Sequence, residues 1–163
     1  PWEKQVETIA DAVGKEDEGD KLIDDTEKAF EEFRHEHAEL QDKSAAIVMP
    51  YDGKIGLYTE EDGRGQFIED LGMEIPDALQ GDGGSFFVDI APENYAKLNQ
   101  VDYLFVLDYN GSSDVLKKDK TFQGLDIVKD DRVRYLDTDT GNAMSMPNPV
   151  TIPWAVDKFE EKL

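Results

Sequence analysis

The sequence predicts a three-layer α/β/α lobe: a mostly parallel sheet with helices on both faces, preceded by one long helix. Three observations carry this. From about residue 45 onward, strand-length apolar runs alternate with helical stretches, the order that builds a parallel sheet. Tyr103-Leu104-Phe105-Val106-Leu107 is apolar throughout, as in a strand buried on both faces. Before residue 38 the pattern is helical only, and strongly acidic.

The elements follow in order. Trp2, Val6, Ile9, Ala10 and Val13 recur at helical spacing, and Gly14 follows as a stop signal. A second helix is predicted from about Glu16 to Glu36. Its apolar positions, Leu22, Ile23, Ala29, Phe30 and Phe33, form one narrow stripe on a charged rod, so it packs along one side. Ala45 to Met49 reads as a buried strand, and Lys54 to Thr59 as its hairpin partner across Tyr51-Asp52-Gly53. Asp62-Gly63-Arg64-Gly65 opens a short helix that carries Phe67, Ile68 and Leu71 and stops at Gly72. After a glycine-rich excursion, Pro76 to Gly84, come a short strand at Phe86 to Val88 and a helix from Pro92 to Leu98. Tyr103 to Leu107 is the central strand. Helical stretches near Asp114 to Lys118 and Thr121 to Val128 lead to a strand at Val133 to Leu136. The loop Met146-Pro147-Asn148-Pro149 precedes a closing helix from about Ile152 to Lys162.

Composition bounds the function. A chain of 163 residues, 39% hydrophobic, suits one domain with a real core. Its 17 basic and 38 acidic residues give a net charge of −21. That surface repels phosphate backbones and anionic membrane faces, so no nucleic-acid partner is expected. Acidity also serves solubility alone. The apolar runs are far shorter than the ~20 residues of a membrane-spanning helix. With no cysteine, disulfides and thiolate metal sites are excluded within these residues. No basic-then-apolar start reads as a signal peptide. A start at Pro1-Trp2 is expected of a fragment or a processed product.

Enzyme signatures are missing. His35 and His37 are two apart, so on a helix they face different sides and read as solvated polar residues. No serine sits in a Gly-x-Ser-x-Gly elbow, and no lysine follows a phosphate-cradling glycine loop. Asp137-Thr138-Asp139-Thr140-Gly141 resembles the opening of a calcium loop. Its glycine comes one position early and the closing glutamate is missing, so a turn is expected. Glu60-Glu61 and Glu160-Glu161 read as solvated surface.

Ligands of open α/β sheets sit beyond the carboxyl ends of the strands. The candidates there are Tyr51, Tyr58, Thr59, Arg64, Tyr109, Asn110 and the stretch Met144, Ser145, Met146, Pro147 and Asn148. Aromatic walls with one arginine and a few amides suit a partly apolar ligand with anionic oxygens. Arg64 has an alternative role, as a surface arginine paired with Glu60, Glu61 or Asp62.

Four blocks carry a family resemblance. Gly56-Leu-Tyr-Thr-Glu-Glu-Asp-Gly-Arg-Gly-Gln-Phe-Ile-Glu-Asp-Leu-Gly72 resembles the segment after the first strand of the C-terminal lobe in bacterial iron-siderophore substrate-binding proteins. Asp89 to Leu107, Thr121 to Leu136 and Met144 to Asp157 are similar to later blocks of that family, in the same order. Ala91 and Asp131 depart from it, standing where many relatives have serine and glycine.

The resemblance implies a helical segment over residues 1–38 that includes an interlobe helix, a C-terminal ligand-binding lobe over 39–163, and an N-terminal lobe outside this chain. It implies a non-catalytic component of an ABC importer that captures ferric siderophore and passes it to the permease. Tyr51, Tyr58, Arg64, Tyr109, Asn110, Met144, Ser145 and Met146 would face the ligand, Arg64 meeting chelate oxygens. Glu93 stands where relatives dock on the permease; as sequence it is equally a favourable charge in a helix's first turn. Iron would be held within the siderophore, so no protein cofactor or metal ligand is expected. The implied protein is a monomer outside the cytoplasmic membrane, periplasmic or a cell-surface lipoprotein. Cobalamin or haem is the rival cargo, and a non-transport interaction module the rival class.

Overall fold

The computed structural model describes residues 1–163. Two helices come first, α1 (Trp2–Val13) and α2 (Glu16–Glu36), with the bounds that the apolar spacing predicts. α2 opens on Glu16, Asp17 and Glu18 and has Arg34 in its last turn, charges that complement its dipole.

Strands β1 (Ala45–Tyr51) and β2 (Lys54–Tyr58) form the expected hairpin. Its tip, Asp52-Gly53, has φ of 46° and 74°, the left-handed pair that matches strand twist in a two-residue turn. Helix α3 (Gly63–Asp70), strand β3 (Phe87–Ile90), a 3-10 helix (Pro92–Gln100) and strand β4 (Tyr103–Asp108) follow. Short helices α4 (Asp114–Lys118), α5 (Lys120–Gln123) and α6 (Asp126–Lys129) lead to strand β5 (Val133–Asp137). Helices α7 (Thr138–Ser145) and α8 (Thr151–Glu160) close the chain.

The sheet order is β3-β2-β1-β4-β5. β1 pairs in parallel with β4, and β4 with β5, while β2 is antiparallel to both its neighbours. Four strands therefore run one way, and β2 alone is reversed by its hairpin. A core lies on each face. On one, Phe105 meets Phe159 of α8 at 4.5 Å between ring centroids, and Phe67 of α3 meets Phe30 of α2 at 5.4 Å. On the other, Leu98, Leu104, Phe122 and Ile127 pack under the 3-10 helix and α4 to α6.

Three local readings are corrected. Asp137 to Gly141 is no turn: the Asp137 carboxylate accepts the Thr140 N–H at 2.9 Å and caps α7. Weak helix formers hide that helix, which packing of Met144 into the core holds. The stretch Thr121 to Val128 divides into α5 and α6 around Gly124-Leu125. His37 is not a freely solvated residue. Its ring lies 4.6 Å from Phe33 and bonds Glu160 at 2.6 Å, so Glu160 is engaged as well. Asp131 has φ 55°, a left-handed backbone that favours glycine over most other residues.

A pH dependence is built into the α1–α2–α3 seam. Burial, and then the charge of Glu3, raise the Asp70 carboxyl to about 6; Arg34 opposes this and Glu27 adds to it. Between the ordinary value of 3.8 and about 6, the folded state keeps a proton that the unfolded chain has lost. This group's contribution therefore falls as pH rises through that window and is fully unfavourable above it. Asp70→Asn is expected to raise Tm by roughly 2–4 °C at pH 8 and by much less at pH 4. Thermal melts at both pH values check this; an equal gain at both would contradict it.

Candidate functional site

Alternation along β1 puts Ile47, Met49 and Tyr51 on one face of the sheet. The register brings Tyr58 opposite Ile47, Gly56 opposite Met49, and Lys54 opposite Tyr51. On β3, Asp89 lies opposite Gly56, and Phe87 opposite Tyr58. These side chains share a face. Phe87 is 50% exposed, and Asp89 is exposed, so this end of the face is open.

Arg64 stands at the centre. α3 begins where the chain leaves β2, with the Asp62 side chain accepting the Arg64 N–H at 2.9 Å as N-cap. Gly65 makes the approach possible: a Cβ there would lie 1.9 Å from the Thr59 carbonyl oxygen. The guanidinium then lies 3.7 Å above the Tyr58 ring centroid. Its Nε and Nη2 donate to the two Asp62 carboxylate oxygens at 2.7 and 2.9 Å. Nη1 is 3.4 Å from the Tyr109 hydroxyl. Burial is the largest single influence and works against this charge, but the Asp62 bonds and charge, together with Tyr58 and Tyr109, outweigh it and hold Arg64 above the ordinary arginine value.

Tyr109 reaches Arg64 because α7 offers it Gly141. A Cβ at Gly141 would lie 2.8 Å from the Tyr109 hydroxyl oxygen. Further along the face, the Tyr58 hydroxyl lies 3.8 Å from the Met49 sulfur. Tyr51 and Lys54 both bond Asp89, and Lys54 lies 4.9 Å from the Tyr51 ring centroid. Tyr51 meets Phe87 edge-on at 6.3 Å. Beside Arg64, a groove of about 430 Å³ runs between the start of α1 and the α7–α8 loop, lined by Gln5, Glu61, Gln66 and Asn148 among others.

Of the residues singled out in the sequence, Tyr58, Arg64 and Tyr109 form one cluster, and Tyr51 joins the same face from the hairpin. Asn110 is exposed at the rim with φ 53°, its N–H bonded to the Thr138 hydroxyl at 3.0 Å. Ser145 and Met146 both line the groove, and Met146 is 73% exposed. Met144 is different: it is fully buried in the core, because α7 extends to Ser145 and turns it inward. Met144 supports the wall from beneath and does not reach its exposed surface. Glu93 is exposed in the first turn of the 3-10 helix, just beyond β3 and on the sheet's other side. The structure adds Met49, Lys54, Phe87 and Asp89. Their signal lay in cross-strand register, which a linear reading of short strands does not supply.

No helix is long and apolar enough to cross a membrane. No group of three or more His, Cys, Asp or Glu side chains is placed to hold a metal ion.

Comparison with known proteins gives a consistent picture. No curated protein matches the chain in sequence. Among solved structures, the iron uptake ABC transporter substrate-binding protein PiaA from Streptococcus pneumoniae is 26% identical. That match has a TM-score of 0.78 and covers 98% of this chain and 57% of PiaA. PiaA in complex with ferrichrome matches at 23% identity and TM-score 0.80, over 98% of this chain and 56% of that one. Staphylococcus aureus SirA matches at 21% identity and TM-score 0.77, over 99% and 64%. The chain thus spans little more than half the length of PiaA. A family model described as periplasmic binding protein matches residues 1–140, and with the α/β fold beneath that match, the chain belongs to the periplasmic binding protein family.

Proposed function

We propose that this chain is the C-terminal lobe of an extracytoplasmic substrate-binding protein that captures ferric siderophore and delivers it to an ABC permease. Residues 1–38 carry the interlobe helix, and an N-terminal lobe supplies the cleft's other wall. The observation that carries this reading is the Arg64 guanidinium, clamped by Asp62 over Tyr58 beside Tyr109. It gives a rigid polar point in an aromatic wall, which can orient a chelate's oxygens while the rings contact its apolar body. Iron stays in the siderophore, so the protein needs no metal ligand and no catalytic group. Glu93, exposed in the first turn of the 3-10 helix, would meet a cationic patch on the permease. The protein works outside the cytoplasmic membrane, as a monomer, free in a periplasm or held by a lipid anchor.

Quenching of tryptophan fluorescence in the full-length protein by ferric siderophores tests this. Saturable binding with Kd near micromolar or tighter, about −8 kcal/mol, is expected. Quenching by haem or cobalamin with no response to any ferric siderophore would replace the cargo. Salt-sensitive binding to a protein partner, with no small-molecule affinity, would replace transport altogether.

A further inference from the structure

Two cations face the open wall, and each already carries a carboxylate. Arg64 is locked to Asp62 through two parallel bonds, with side chains only 17% and 13% exposed. Lys54 is paired with Asp89 on the neighbouring strands. A third carboxylate, Glu61, lines the groove beside Arg64 with no cation matched to it among the groove's residues. The remaining polar groups are neutral donors and acceptors: Tyr51, Tyr58 and Tyr109 on the wall, Gln66 and Asn148 in the groove. Burial keeps the Tyr58 phenol protonated, and Asp89 does the same for Tyr51. Two positive charges thus stand against three negative ones, within a chain whose net charge is −21.

We infer that the cargo of this wall is an uncharged or cationic ferric chelate, of the trihydroxamate kind, rather than a multiply anionic tris-catecholate. The inference rests on the siderophore reading and refines it. An uncharged chelate presents carbonyl and N–O oxygens to Arg64 and the phenols, and lays its apolar body on Tyr58 and Phe87, without disturbing either ion pair. A trianionic chelate meets Asp62, Asp89 and Glu61 at close range. To neutralise its charge against the Arg64 fork it would have to displace Asp62, which would leave a largely buried carboxylate without its cation.

The test uses the full-length protein and three probes: ferrichrome, which is uncharged, ferrioxamine B, a monocation, and ferric enterobactin, a trianion. Ferrichrome and ferrioxamine B are expected to bind at least roughly tenfold tighter than ferric enterobactin. Asp89→Asn frees Lys54 on an exposed strand and is expected to narrow that gap about fivefold at about 50 mM salt, less at high salt. Circular dichroism confirms that the variant is folded. Ferric enterobactin bound as tightly as ferrichrome would overturn the charge inference and leave the siderophore reading standing. A gap untouched by Asp89→Asn would overturn the assignment of that preference to this wall. Binding of none of the three by folded protein would overturn both readings.

Discussion

Arg64→Ala is expected to weaken ferric-siderophore binding by the full-length protein roughly 30- to 100-fold, about 2–3 kcal/mol. Two losses add. The chelate loses its charged donor, and Asp62, only 13% exposed in its side chain, keeps a negative charge with no cationic partner at the mouth of the site. The Tyr58 ring also loses the guanidinium lying 3.7 Å above it and becomes free to move. Arg64→Lys is not a rescue. An ammonium keeps the charge but not the planar fork that meets both Asp62 oxygens while stacking on the ring. Affinity within about threefold of wild type in the alanine variant would show that the ligand sits elsewhere.

Gly65→Ala is expected to destabilise the lobe by about 3 kcal/mol or more, lowering Tm by roughly 6–12 °C. The new methyl group would lie 1.9 Å from the Thr59 carbonyl oxygen and 2.5 Å from its carbon. Those are backbone atoms just after β2, where the Thr59 N–H donates to the Phe86 carbonyl and the Thr59 carbonyl accepts the Asp62 N–H, and they cannot rotate aside as a side chain could. The start of α3 must move instead, taking Arg64 with it, so binding falls together with stability. Urea unfolding followed by circular dichroism measures the first effect, and titration of the folded fraction measures the second. A loss of affinity with unchanged stability would mean that the helix start absorbs the methyl group and acts on Arg64 alone.

What the sequence discloses and what it hides have physical reasons. α1 and α2 were legible to the residue because their apolar stripes are long and Gly14 separates them. The hairpin was legible because Asp52-Gly53 is a turn pair between two apolar runs. α7 was hidden because Thr138, Asp139, Thr140, Gly141 and Asn142 are each poor helix formers, and its stability comes from the core and the Asp137 cap. Missing that helix also misplaced Met144, which a loop would leave at the surface and α7 buries.

The candidate site divides the same way. Tyr58, Arg64 and Tyr109 were named from their positions at strand ends and from the family resemblance. What brings them together is not local: Gly141, 32 positions beyond Tyr109, gives the phenol its room. Lys54 and Asp89 belong to different strands and meet only through the β2–β3 register. A charged pair of that kind leaves no mark in the linear sequence until the pairing of the strands is known.

A crystal structure of the full-length protein with bound ferrichrome tests the central claim most directly. The account predicts the chelate in a cleft against this lobe, its oxygens within hydrogen-bond distance of the Arg64 guanidinium and its body on Tyr58 and Tyr109. A chelate bound with no contact to Arg64, Tyr58 or Tyr109 would contradict it.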